Sequence, residues 1–354
     1  MSFKQLKQLS VTRPRPSSIA CALVLFAGCG DDGGAGTTAD ASGTSTMTDA
    51  GTTTGTTTGT TSSTGEAPTT TEETSTGTTG AVVPPLGPWT VMTFNVMCAG
   101  CTPEGFEDWD ARVPYTGDTI RRHDPDLIGM QELFLGEEVA QIEAELPGYT
   151  SIWFAKPDSM SLDYADAAIF YRSDMFTEVE HGFYWLSPTP DVPYSTGFSI
   201  PQFARMVTWA RLRAIADDHE FFFATTHFDN NSPSQELSAP VVLERTAALA
   251  SELPVILVGD FNSRTDDLAY VLLTEGEAGA GPRFDDAFVL AGAWSSDSNL
   301  EPVPVYDPSQ RIDHVFVAGA PWQASDWVVD LWGYGPMQHE TSDHFAIVVE
   351  LAVP

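Results

Sequence analysis

From Trp89 onward the chain sets short apolar runs between polar loops, and most of the runs have strand length. Trp89–Val96 (WTVMTFNV), Asp126–Gln131 (DLIGMQ, ending in Glu132), Asp166–Tyr171, Thr177–Tyr184, Arg205–Ala214 and Glu220–His227 read as strands. So do Val255–Asp260, Arg311–Val317, Trp327–Leu331 and Phe345–Val353. Helical spacing marks Trp109–His123, with Val113 and Ile120 on its inner face, and Glu137–Leu146, which Pro147-Gly148 stops. Glu236–Glu252 is a further helix, starting later if Pro240 sits in its first turn. Helices alternate with strands in places, while consecutive strands dominate the middle. That order predicts an α+β fold, two packed mixed sheets flanked by helices, rather than a doubly wound parallel sheet.

Before Trp89 the pattern disappears. Residues 30–88 are nearly all Gly, Thr, Ser, Ala and acid, with GTTTGTTTGT at Gly51–Thr60. So few apolar side chains cannot offset the entropy of ordering, so residues 29–88 are expected to form a disordered tether. At the very start, Lys4 to Arg15 is basic and Ser18–Gly28 (SIACALVLFAG) is an apolar run of 11 residues. This is short of the ~20 residues that span a bilayer and fits the apolar part of an export signal. Phe26-Ala27-Gly28-Cys29 resembles a bacterial lipobox, with Phe26 where Leu is more usual. The expected organisation is a signal over 1–28, a tether over 29–88 and a folded domain over 89–354. Cys29 would carry a lipid anchor, placing the protein on a bacterial membrane or cell surface; a plain cleaved signal is the alternative. No other segment is long and apolar enough to span a membrane.

Composition narrows the partners. Sixteen Lys and Arg stand against 49 Asp and Glu, a net charge of −33, and four of the basic residues lie within the first fifteen positions. Such a surface repels phosphate backbones at long range, which argues against broad nucleic-acid binding but not against a local site where a cation inverts the field. The CAGC motif at Cys98–Cys101 reads, in an exported chain, as a tight local disulfide rather than a redox centre. Paired zinc-ligand spacing is missing.

Groups capable of chemistry recur at strand ends: Asn95, Glu132, His227, Asp260 with Asn262, Asp313, and Asp343 with His344. The most hydrophobic run, VILVGDFNSR (255–264), ends in two of them. In an extended strand residues i and i+2 share a face, so Asp260 and Asn262 are expected to look the same way. Singly, each residue has a bland reading as a turn, cap or ion pair. Several converging acids, however, are costly without a cation, and oxygen donors without thiolates suit Mg²⁺, Mn²⁺ or Ca²⁺ rather than zinc.

The segments TFNV, PDLIGMQE, TTHFD, GDFN, RIDHVFV and SDH follow the order and rough spacing of the endonuclease/exonuclease/phosphatase superfamily, which the chain resembles from Trp89 to about Leu351. That superfamily includes deoxyribonucleases, apurinic endonucleases, inositol-phosphate phosphatases, neutral sphingomyelinases and deadenylases. The resemblance implies a four-layer α/β/β/α sandwich and metal-assisted attack of water on a phosphate ester. It implies Glu132 and Asp343 as metal-binding acids with the Asn95 amide beside them. Asp260 would position or deprotonate the water, and Asn262 would orient that water or a phosphate oxygen. His344 would stabilise the developing charge or act as acid, with Asp313 as its carboxylate partner, and His227 would be a second phosphate-side histidine.

Phe183–Leu212 resembles one branch of the superfamily, which places Arg205 near the site, contacting either phosphate or a cross-strand acid. At Asn230-Asn231 the sequence departs from that branch, where many members carry histidine. Asp229 remains to orient a neighbour. The reading is a Mg²⁺-dependent phosphoesterase, a monomer meeting nucleic acid only as substrate. Alternatives are an extracellular endonuclease, a sphingomyelinase-like lipid phosphodiesterase, for which Trp322 and Trp327 are the candidate membrane contacts although tryptophans in a β-rich region are more often core, and a non-catalytic surface binding protein.

Overall fold

The computed structural model describes residues 85–155, 165–198, 204–276 and 283–354. The export signal, nearly all of the tether and residues 199–203 of the proline-rich loop lie outside the described residues. In chain order the first elements are β1 (Leu86–Asn95), α1 (Trp109–His123), β2 (Leu127–Leu133), α2 (Gly136–Glu145), β3 (Tyr149–Ile152), β4 (Ala165–Arg172), β5 (Phe176–Trp185), β6 (Met206–Ala214) and β7 (Glu220–His227). They continue with α3 (Ser234–Ala250), β8 (Val255–Asp260), α4 (Leu268–Glu275), β9 (Asp285–Asp286), α5 (Ala287–Ala291), β10 (Trp294–Asp297), β11 (Asp313–Ala318), β12 (Gln323–Asp330) and β13 (Ile347–Val353).

The strands form two mixed sheets, ordered β10-β12-β13-β1-β2-β4-β3 and β5-β6-β7-β8-β11-β9. Between them lies a core of Val91, Leu127, Ile169, Ile256, Val258, Val315 and Val349 with Trp322 and Trp327. Outside the first sheet, Val113 and Ile120 of α1 and Val139 and Ile142 of α2 pack on Met92, Phe94, Ile128 and Met130. Outside the second, Val242 and Leu243 of α3 and Leu273 of α4 pack on Phe222, Ala224 and Leu257. The expected α/β/β/α sandwich is therefore present. It explains why VILV is apolar without alternation: Ile256 and Val258 face the other sheet, while Val255 and Leu257 face the helices. Gly129 sits where the sheets approach closely; a Cβ there would lie 2.3 Å from Val258 Cγ2 and 2.4 Å from Thr225 Oγ1.

Several expectations shift. β1 begins at Leu86 because Leu86 is buried in register with Val353, so the fold starts inside the stretch read as tether. β12 begins at Gln323, ahead of Trp327, and continues through an irregularity between Ser325 and Val328, with Asp326 at φ +50°. The helix α3 begins at Ser234 and runs through Pro240, held by its buried face of Ala239, Val242, Leu243 and Ala250. Trp322 and Trp327 are 5% and 1% exposed, so neither is a membrane contact.

Candidate active site

The two sheets present their polar strand ends at one place. Asp260 closes β8, and its neighbours in register are His227, last residue of the parallel β7, and Asp313, first residue of the antiparallel β11. Three adjacent strands thus deliver imidazole, carboxylate and carboxylate in one row. From the other sheet come Asn95 at the end of β1 and Glu132 in β2, and the turn before β13 adds Asp343 and His344.

Asp260 is the hub, buried to 1% exposure. Its Oδ2 accepts from Asn95 Nδ2 at 3.1 Å and lies 3.4 Å from His227 Nε2 and 3.7 Å from His344 Nε2. Its Oδ1 accepts the Asn262 backbone N–H at 2.8 Å. Burial works against its charge, but His344, His227 and the Asn262 and Asn95 hydrogen bonds outweigh that and hold the carboxyl below the usual range. The His344 ring bonds Asp313 Oδ2 through Nδ1 at 2.8 Å. Burial opposes a charged His344 as well, yet Asp313, Asp260 and Asp343 together raise it well above the ordinary imidazole value.

Backbone geometry fixes these groups. Gly259 has φ +156°, and a Cβ there would fall 2.2 Å from Thr226 O. Glu132 and Asn262 stand at φ +70° and +48°, a left-handed conformation that costs side-chain-bearing residues energy and clusters at functional sites. Asn262 therefore does not continue the strand, and the period-two expectation fails for it. β8 ends at Asp260, the backbone N–H of Asn262 caps that carboxylate, and its side-chain Nδ2 donates to Phe228 O at 3.0 Å. Ser342 ties the turn before β13 to β1, donating to Asn95 O at 2.7 Å and accepting from His344 N at 3.1 Å.

On the far side of Asn95, Glu132 Oε1 accepts from Asn95 Nδ2 at 3.0 Å and Oε2 from Cys98 N at 2.7 Å. Asn95 thus bridges Glu132 and Asp260, while its Oδ1 accepts Met97 N–H at 3.0 Å. Partial desolvation, opposed by His344 and reinforced by the charge of Glu132, raises the Asp343 carboxyl. The two acids share a field that a hard cation would relieve. Asp260, Asp313 and His344 also bring ligand-type atoms within 4.8 Å of one another, and Asp313 Oδ1 is buried with no hydrogen-bond partner among the described residues. Oxygen donors dominate, so the residues fit a hard divalent cation. Cys98 and Cys101 approach Glu132 but are joined as a disulfide, as expected, and so offer no thiolate.

The sequence reading overlooked Asp166. This fully buried acid near the start of β4 bonds His227 Nδ1 at 2.9 Å and Arg205 Nη1 at 2.9 Å. Burial disfavours its ionisation, but His227 and Arg205 hold it well below the usual carboxylate range. Burial and the Arg205 charge both lower His227, and Asp166 and Asp260 more than restore it. Arg205 thus makes the cross-strand pair, at the rim of the site. Asp229 is buried and accepts from Asn231 N and Nδ2 at 2.9 and 2.8 Å, so it shapes the loop after β7.

No curated protein matches the chain. Among solved structures, an endonuclease/exonuclease/phosphatase family protein from Bacteroides thetaiotaomicron is 28% identical with a TM-score of 0.63, covering 75% of this chain and 98% of that one. The mannosyl-6-phosphatase of Bacteroides thetaiotaomicron VPI-5482 is 28% identical with a TM-score of 0.61, covering 74% and 99%. The human nocturnin catalytic domain with bound sulfate shares the fold at 18% identity and a TM-score of 0.55, over 75% and 94%. Residues 92–344, from within β1 to His344, match the Endonuclease/Exonuclease/phosphatase family, and the chain belongs to that family of phosphoesterases.

Proposed function

We propose that this protein is an exported, lipid-anchored phosphoesterase that uses a divalent cation, Mg²⁺ with Mn²⁺ or Ca²⁺ as substitutes, to hydrolyse a small phosphomonoester of the sugar-phosphate class. The observation that carries the reading is the setting of Asp260, gripped at one carboxylate by Asn95, His227, His344 and the Asn262 N–H. Similarity to a protein named mannosyl-6-phosphatase supports the substrate class. So does a net charge of −33, which disfavours long polyanions more than a single small ester.

Glu132 and Asp343 would hold the cation, with Asn95 keeping Glu132 in place. When bound, the cation neutralises charge on the phosphoryl oxygens. Asp260 accepts a hydrogen bond from the attacking water and turns a lone pair toward phosphorus. Its depressed pKa suits orientation better than storage of a proton. His344, whose protonated form the Asp313 carboxylate favours, donates a hydrogen bond to the ester oxygen as negative charge grows there. As the ester P–O bond breaks, the leaving oxygen takes the His344 proton and departs as the alcohol; the protons of the attacking water stay on the phosphate, which returns one to His344. His227, aligned by Asp166, faces the same centre, and Arg205 adds positive charge at the rim.

The test is a panel of mannose 6-phosphate, bis(p-nitrophenyl) phosphate, sphingomyelin and plasmid DNA, each with and without Mg²⁺. Release of phosphate from the sugar ester, dependent on Mg²⁺, is expected. Preferential cutting of DNA would reassign the protein to the nucleases.

A further inference from the structure

The Val96–Cys98 turn leaves β1 directly after Asn95, and its last N–H, that of Cys98, holds Glu132 Oε2 at 2.7 Å. The turn is strained, with Met97 at φ +57°. Two restraints keep it there. The first is Arg112 of α1, only 1% exposed. Its guanidinium donates to Val96 O at 2.7 Å, Met97 O at 2.9 Å and Cys98 O at 3.3 Å on one side, and to Thr341 O at 2.9 Å and Glu107 O at 3.0 Å on the other. It therefore couples the turn to the loop that carries Asp343. The second is the Cys98–Cys101 disulfide, which closes the turn from the outside together with the Cys101 N–H to Cys98 O bond at 3.0 Å.

We infer that Cys98 is a positioning residue for the cation site, and that the Cys98–Cys101 disulfide sets divalent-cation affinity by fixing the Cys98 N–H against the Glu132 carboxylate. This rests on the proposed function, in which Glu132 holds the cation. Without the cross-link only Arg112 holds the strained turn, the Met97–Cys98 peptide can tilt, and the Cys98 N–H bond to Glu132, one of the two that orient that carboxylate, weakens. Arg112 still grips the three carbonyls, so the site loosens rather than collapses. Loss of a partner that orients a metal ligand costs about 10- to 100-fold in metal affinity. The reductive step is a dithiol exchange: dithiothreitol supplies two electrons and two protons, the S–S bond becomes two thiols, and the reagent becomes its cyclic disulfide.

The experiment titrates Mn²⁺ calorimetrically into three samples of the full chain: oxidised wild type, wild type reduced by dithiothreitol and desalted without air, and Cys98→Ser/Cys101→Ser. Circular dichroism of each cation-free sample establishes the fold. Expected is about tenfold or weaker Mn²⁺ binding in both cross-link-free samples, with the circular dichroism of each matching the oxidised wild type. A merely structural disulfide would lower melting temperature and leave the Mn²⁺ Kd unchanged, and that result, or unfolding of both cross-link-free samples, overturns the inference alone. No Mn²⁺ binding by the oxidised wild type would overturn the proposed function together with it.

Discussion

At the residue scale the site is an exercise in charge compensation. Asp260 stays ionised while buried because two imidazoles and two N–H groups surround it, and Asp166 does the same for His227 and Arg205. Removing one member of such a buried network leaves the others uncompensated, at about 3–5 kcal/mol. Asp166→Asn is therefore expected to lower stability by that order and turnover by tenfold or more, because His227 loses the acceptor that fixes its tautomer. Urea denaturation and steady-state kinetics on the same sample check both effects; an unchanged kcat would mean that His227 needs no orientation.

Asn95, Glu132, His227, Asp260, Asp313 and His344 stand out in the sequence because each lies at or beside the end of a recognisable strand, and the structure brings them together. Asp166 does not stand out, because it sits in the run ADAAIFYR and its relevance depends on pairing. β4 runs antiparallel to β2, with Ala165 opposite Leu133, which carries the start of β4 to the end of β2 where Glu132 stands. Arg112 was hidden for the opposite reason: a guanidinium in a helix reads as solvated until its five N–H groups are found facing carbonyls.

At the element scale, β7, β8 and β11 are the scaffold. Their register puts His227, Asp260 and Asp313 side by side, and Gly259 permits the close approach of β8 to β7. Gly259→Ala places a methyl group against Thr226 O and should destabilise the fold by roughly 2–5 kcal/mol, read as a lower urea midpoint with unchanged slope.

His314, the next residue on β11, is fully buried among Phe261, Tyr270 and Phe316, with Nε2 on Ser263 O at 2.9 Å. Burial pushes its pKa down to about 4 from the ordinary 6.5. Between these values the unfolded chain binds more protons than the folded one, so stability rises with pH. The contribution is complete above about 6.5 and is lost as pH falls toward 4, roughly 3 kcal/mol in all. Between pH 7.5 and 4.5, wild type should lose about 2–3 kcal/mol more than His314→Phe; equal losses would place the acid sensitivity elsewhere.

Long elements with a clear period were read correctly to within a few residues. The four-residue β3, the eight-residue α4 and the two-residue β9 were not. Such short pieces gain their structure from the sheet edge or core they pack on, and carry too few positions for a period to show.

At the scale of the whole molecule the layers follow from the strand and helix order, and the surface charge follows from composition. For position in the cell, the proposal of a lipid anchor rests on Cys29. Cys29→Ser should move the protein from the membrane fraction to the soluble fraction of a bacterial host without changing kcat on a soluble ester; persistence in the membrane fraction would assign the anchor elsewhere.

The most direct single measurement is inorganic phosphate release from mannose 6-phosphate by the full chain, with Mg²⁺ and with chelator, for wild type, Asp260→Ala and His344→Ala. The expected result is release by wild type only with Mg²⁺, falling about 10²- to 10⁴-fold in each variant while circular dichroism stays the same. Release that persists in folded Asp260→Ala would contradict the central claim that Asp260 positions the attacking water.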